Sequence, residues 1–155
     1  MMTVEIGLSE DNRAASVTAL QKLLGETYAV YIKTHGYHWN VSGPRFSSLH
    51  QMFMDQYTEL WTSLDEIAER IRALGHFAPG SSREMLESAT VAEDNGVPEA
   101  DAMVANLARG HEALARAARE GIEIADKAGD DVTVDLLTQR ATIADKTAWM
   151  LRSSL

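Results

Sequence analysis

The sequence has 155 residues, 45% of them hydrophobic, enough for one compact domain with a core of its own. It contains no cysteine, which excludes disulfide frameworks and thiolate metal sites and leaves histidine and carboxylate as the strong metal ligands. With 23 acidic against 14 basic residues the formal charge is -9, which argues against intrinsic affinity for nucleic acid or an anionic membrane and favours cations as small partners.

The first sixteen residues carry neither a basic start nor an apolar run of signal length, and no later segment approaches the roughly 18 apolar residues of a membrane span. A cytoplasmic protein in a reducing compartment is expected, with residues 1–155 as a single domain and residues 1–10 as a short flexible tail.

Only three prolines interrupt long stretches of period near 3.6, so an all-α fold is expected. A first helix from about Asp11 to Trp39 carries Val17, Leu20, Leu24, Tyr28, Tyr31, His35 and His38 on its inward stripe, and stops near Val41-Ser42-Gly43-Pro44. A second, from about Pro44 to Leu74, has a core stripe of Phe46, Leu49, Phe53, Leu60, Leu64, Ile67, Ile71 and Leu74, and ends at Gly75. Ser81-Ser82-Arg83-Glu84 has capping-box spacing, so a short helix is expected in the long crossover that follows. Pro98 is expected to start the third long helix, with Val104, Leu107, His111, Leu114, Ala118, Ile122 and Ala125 inward and Gly129 closing it. Asp131 is the expected N-cap of the last helix, with Val134, Leu137, Ala141, Ala144, Ala148 and Leu151 facing in. These elements sum to a four-helix bundle with one long crossover.

The second helix has an additional stripe: His50, Met54, Tyr57, Trp61, Asp65 and Glu69. Large aromatics repeated on a second face mark a partner surface. The plainer alternative is that Tyr57 and Trp61 belong to the core. Asp65 and Glu69 lie one turn apart and can grip one cation or bridge two. His50 and Asp65 are fifteen residues apart, about 22 Å along a helix, so one chain cannot bring both to one ion. Two such helices packed antiparallel about a two-fold axis can, and symmetry then makes two sites per dimer. The donors suit iron, and geometry alone also admits zinc or manganese.

The run His38-Trp39-Asn40-Val41-Ser42-Gly43-Pro44, then Phe46, Leu49-His50, Asp65-Glu66-Ile67-Ala68-Glu69-Arg70 and Leu74-Gly75 resembles the Dps family of mini-ferritins. The resemblance extends over essentially the whole chain. It implies a dodecameric hollow shell of ferritin-like subunits that oxidises ferrous iron, preferably with hydrogen peroxide rather than oxygen, stores ferric mineral and so protects DNA. It implies His38 and His50 from one subunit, with Asp65 and a bridging Glu69 from its two-fold mate. Trp39 and Trp61 would flank the site, as interceptors of oxidising equivalents or as interface packing. His35 and Asp55 are candidate auxiliary ligands, and zinc is a candidate for the same site. Asp126, Asp131 and Asp135 match carboxylates that line three-fold pores, although Asp131 could simply cap its helix and Asp126 balance Lys127.

Met54 departs from the pattern. The family usually places a carboxylate one turn after the second histidine, and a thioether is a poor ligand for hard ferric iron. The alternative function is therefore a structural or DNA-protecting assembly with a degenerate metal site. A larger ferritin is disfavoured, because neither of the last two helices offers a Glu-x-x-His pair. Direct DNA binding is not expected: residues 1 to 16 hold only Arg13 among Glu5, Glu10 and Asp11, where family members that bind DNA have a lysine-rich arm.

Overall fold

The computed structural model describes residues 3–155 and is all-helical over that range. The elements are α1 (Glu10–Asn40), α2 (Phe46–Ala73), the short α3 (Ser82–Leu86), α4 (Ala100–Lys127) and α5 (Asp131–Arg152). Helices α1 and α2 form one hairpin and α4 and α5 another, and α1 packs on α4 to close the bundle. No helix is long and apolar enough to cross a membrane among the described residues.

The ends follow local chemistry. Ser9 caps α1 by accepting from the Asn12 N–H. The expected capping box is present in α3: Ser81 accepts from the Glu84 N–H, while the Glu84 carboxylate reaches back one residue further, to the Gly80 N–H. Gly75 and Gly129 leave their helices at φ +91 and +70, conformations that cost a glycine little. Pro98 precedes α4 by two residues rather than opening it, and Glu99 takes the cap position.

Burial matches most of the apolar stripes. Leu20, Leu24, Leu60, Ile67, Ile71, Leu114 and Leu137 form the larger apolar cluster, and Tyr37, Phe53, Leu107 and Leu151 belong to a smaller one at the other end. Phe46 does not join either: it is 41% exposed and lies over the His50 ring instead. The crossover is held to α1 by buried Glu26, which accepts from the Thr90 N–H and hydroxyl and from the Val91 N–H.

Between the clusters lies a polar level of buried Thr34, Gln56 and His111. Both His111 ring nitrogens and Gln56 Oε1 lack a protein partner. Burial, with a contribution from Arg140, pushes the His111 imidazole down to about 4, so it is neutral in the fold. As pH falls below 6.5 the unfolded chain takes up this proton before the folded one, so stability falls between pH 6.5 and 4. Over that window the wild-type protein is expected to lose about 2 kcal/mol more than His111→Leu, as measured by urea unfolding.

Candidate metal centre at the α1–α2 corner

The connection between α1 and α2 is short, so the last turn of α1 meets the second turn of α2, and these turns carry His38 and His50. The carbonyls that end a helix lack intrahelical donors, which applies to His38 in the last turn of α1. Here the His38 carbonyl accepts a hydrogen bond from His50 Nδ1 at 2.7 Å, and the His50 carbonyl accepts one from His38 Nδ1, also at 2.7 Å. The two rings stack with centroids 3.8 Å apart and planes 14° from parallel. A carbonyl only accepts, so each Nδ1 bears the proton, and in the neutral form of either ring the lone pair lies on Nε2. Both imidazoles are thus fixed in the tautomer a metal requires. Because the planes are nearly parallel, the two lone pairs do not converge on one ion. Each histidine is suited to an ion of its own.

Asp65 and Glu69 stand exposed on α2, one turn apart and about four turns beyond His50. Among the described residues no group of three or more histidine and carboxylate side chains is close enough to hold a metal. The chain alone therefore offers a two-histidine half and a separate two-carboxylate half. Asp55 lies on the outer face of α2, its carboxylate accepting from Gln51 Nε2 at 2.9 Å. Met54 is 43% exposed beside it, and Trp39 and Trp61 stand well out at 65% and 60%. These residues make an apolar margin around both halves.

Tyr57 is half-buried against α1 and joins neither apolar cluster. It lies flat on His35, with centroids 3.9 Å apart and planes 12° from parallel, and meets His38 edge-on at 5.2 Å. His35 Nδ1 is hydrogen-bonded to the Tyr31 hydroxyl at 3.1 Å. Burial and the neighbouring His38 lower the His35 pKa, which favours its neutral form. His35 is therefore engaged with aromatic neighbours beside the histidine pair.

At the far end of the bundle, Asp126, Asp131 and Asp135 are all exposed, with Asp135 accepting from Gln139 Nε2. The cap of α5 is Asp130, not Asp131: its carboxylate accepts from the Thr133 N–H at 3.1 Å and from the Thr133 hydroxyl at 2.5 Å. Asp131 begins the helix and is free of the capping role assigned to it from sequence. Asp130 also pairs with Arg70 of α2 at 2.8 Å, a link between helices sixty residues apart in sequence. Neither Asp130 nor Tyr31 stood out as a functional candidate, since both depend on partners that only the fold supplies.

Against known proteins, residues 17–155 match the ferritin-like domain family. DNA protection during starvation protein 2 of Bacillus anthracis is 37% identical over 90% of this chain and 95% of its own length. Among solved structures, DpsC from Streptomyces coelicolor superposes with a TM-score of 0.95 at 28% identity, over 99% of this chain and 90% of that one. A Dps protein from Vibrio cholerae, described as a member of a broad superfamily of ferritin-like diiron-carboxylate proteins, gives a TM-score of 0.92 at 30% identity, over 99% and 97%. The long crossover, the histidine corner and matches of this extent in both sequence and structure leave one assignment: the chain belongs to the Dps family of ferritin-like proteins.

Proposed function

We propose that this protein oxidises ferrous iron, with hydrogen peroxide as preferred oxidant, at sites shared between two-fold-related subunits, and stores the ferric product inside a dodecameric shell. The observation that carries the proposal is the reciprocal bonding of His38 and His50, which leaves two Nε2 lone pairs free while no group of three or more histidine and carboxylate side chains comes together among the described residues. Asp65 and Glu69 of the two-fold mate would supply the carboxylates, with Glu69 bridging; His50 and Asp65 lie too far apart along α2 for one chain to do so. Carboxylate oxygens stabilise the ferric product and the imidazoles hold the ferrous ion. Zinc takes the same donors and would compete for the site.

The surroundings support the same reading. Exposed Trp39, Met54 and Trp61 form a surface that a second subunit would cover, placing the tryptophans where they could intercept oxidising equivalents. Asp126, Asp131 and Asp135 cluster at the start of α5 and the end of α4, where a three-fold ring of them would draw ferrous iron inward. His35 and Asp55 serve as auxiliaries at most, since each already has a partner in the chain. DNA protection, the role in the Bacillus anthracis relative's name, would come here from removing iron and peroxide together, since the chain's charge of -9 disfavours direct contact with DNA. Anaerobic protein given ferrous iron and then peroxide is expected to develop ferric absorbance without spin-trapped hydroxyl radical. Peroxide left unconsumed, with iron still ferrous, would instead favour an assembly with a degenerate site, for which Met54 is the motive.

A further inference from the structure

Peroxide accepts two electrons, and one ferrous ion supplies one. A site with both positions filled meets that demand, but here the position next to His50 has Met54 where a carboxylate would complete it, and a thioether holds hard iron poorly. A site holding a single ferrous ion is one electron short.

The aromatic residues behind the histidine pair form a continuous path. From His38 the path runs to the edge of Tyr57 at 5.2 Å and through the 3.9 Å stack of Tyr57 on His35. His35 meets Tyr31 at 5.6 Å between ring centroids, and the Tyr31 hydroxyl is bonded to His35 Nδ1 at 3.1 Å. A phenol gives up an electron readily only if its proton can leave at the same time, which requires a base within hydrogen-bond reach. Tyr31 has one in His35, in the tautomer whose Nδ1 accepts from the phenol. Tyr57 has no hydrogen-bond partner for its hydroxyl among the described residues, and Tyr28 is bonded to the Ser82 hydroxyl, which is not a base. Tyr37 has the Asp94 carboxylate, but its ring packs against Phe53 in the smaller core cluster. Burial, then the nearby Tyr57 and Tyr28, raise the Tyr31 pKa, so the phenol holds its proton at rest.

We infer that Tyr31, bonded to His35 and connected to His38 through the stacked rings of His35 and Tyr57, is the one-electron donor that completes peroxide reduction when a site holds a single ferrous ion. The inference rests on the iron-oxidising function proposed above. In the step, the ferrous ion and Tyr31 each lose one electron, and the O–O bond of peroxide breaks. The Tyr31 O–H proton passes to His35 Nδ1, and two protons from solvent complete two water molecules. Ferric iron, a neutral tyrosine radical and a protonated His35 remain.

The test uses the assembled protein, one ferrous ion per site and one equivalent of peroxide, without oxygen, freeze-quenched for electron paramagnetic resonance. A tyrosine radical is expected in the wild-type protein, identified by the narrowing of its signal when ring-deuterated tyrosine is incorporated. It should be at least about tenfold weaker in Tyr31→Phe and in His35→Gln, which loses the proton acceptor, and unchanged in Tyr37→Phe. Iron oxidised per peroxide consumed should rise about twofold in Tyr31→Phe, because both electrons must then come from iron. With iron supplied in excess, Tyr31→Phe should still oxidise it, showing that the site is intact. Ferric iron formed without a tyrosine radical, or a radical that survives in Tyr31→Phe, overturns the inference and leaves the iron-oxidising function standing. No ferric iron in any variant overturns both.

Discussion

Replacing His50 and Asp65 together by alanine is expected to slow peroxide-driven iron oxidation at least about a hundred-fold while the protein stays folded. The magnitude follows from metal-site energetics: disturbing residues that merely orient ligands costs about 10–100-fold, and removing the ligands themselves costs no less. The His50 side chain also stacks on the His38 ring at 3.8 Å, while the backbone carbonyl that accepts from His38 Nδ1 remains in the variant. The variant therefore removes the His50 and Asp65 donors while leaving the His38 tautomer fixed. His50 and Asp65 are partly or fully exposed on α2, and neither belongs to an apolar cluster, so the fold should tolerate the change. Stopped-flow absorbance of ferric product gives the rate and circular dichroism checks the helices. Equal rates in the variant and the wild-type protein would end the ferroxidase proposal.

Asp130→Ala is expected to destabilise the protein by about 3 kcal/mol at neutral pH. Loss of the α5 cap costs roughly 1 kcal/mol. The remainder comes from leaving Arg70, which is largely buried, without its carboxylate partner. Burial alone would raise the Asp130 pKa, but hydrogen bonds from Thr133 and the charge of Arg70 outweigh it and hold the carboxyl below its ordinary value. A group depressed in the folded state contributes stability above its unfolded pKa and loses that contribution as pH falls through the folded one. Wild type and variant should therefore differ most at neutral pH and converge in strong acid. Urea unfolding at several pH values measures the difference, and equal stability at pH 7 would show that the Arg70 link does not hold the bundle.

Most of the helical architecture was legible in periodicity and end signals, because each stripe and cap acts within one turn of its own helix. The errors arose where distant residues decide. Asp130 and Asp131 are equally good caps by type, and the choice falls to Asp130, whose side chain reaches both Thr133 and Arg70. Phe46 reads as core from its spacing, yet it falls at the corner where α2 begins and covers His50. Tyr57 shares a stripe with Trp61, and its stack on His35 of α1 could not be read from that stripe. The histidines were readable as ligand candidates. Their exchange of carbonyl bonds was not, since it depends on how α1 and α2 align across the corner.

The central claim is that each site takes histidines from one subunit and carboxylates from another. It is tested by making His50→Ala and Asp65→Ala as separate proteins, unfolding them together and reassembling them at equal amounts. In a mixed two-fold pair, one site loses both contributions and the other keeps the intact His50 of one chain and the intact Asp65 of its mate. Random pairing makes half the pairs mixed, so about a quarter of wild-type sites, and about a quarter of the wild-type oxidation rate, should return from two inactive proteins. A mixture as inactive as either variant alone would contradict a shared site.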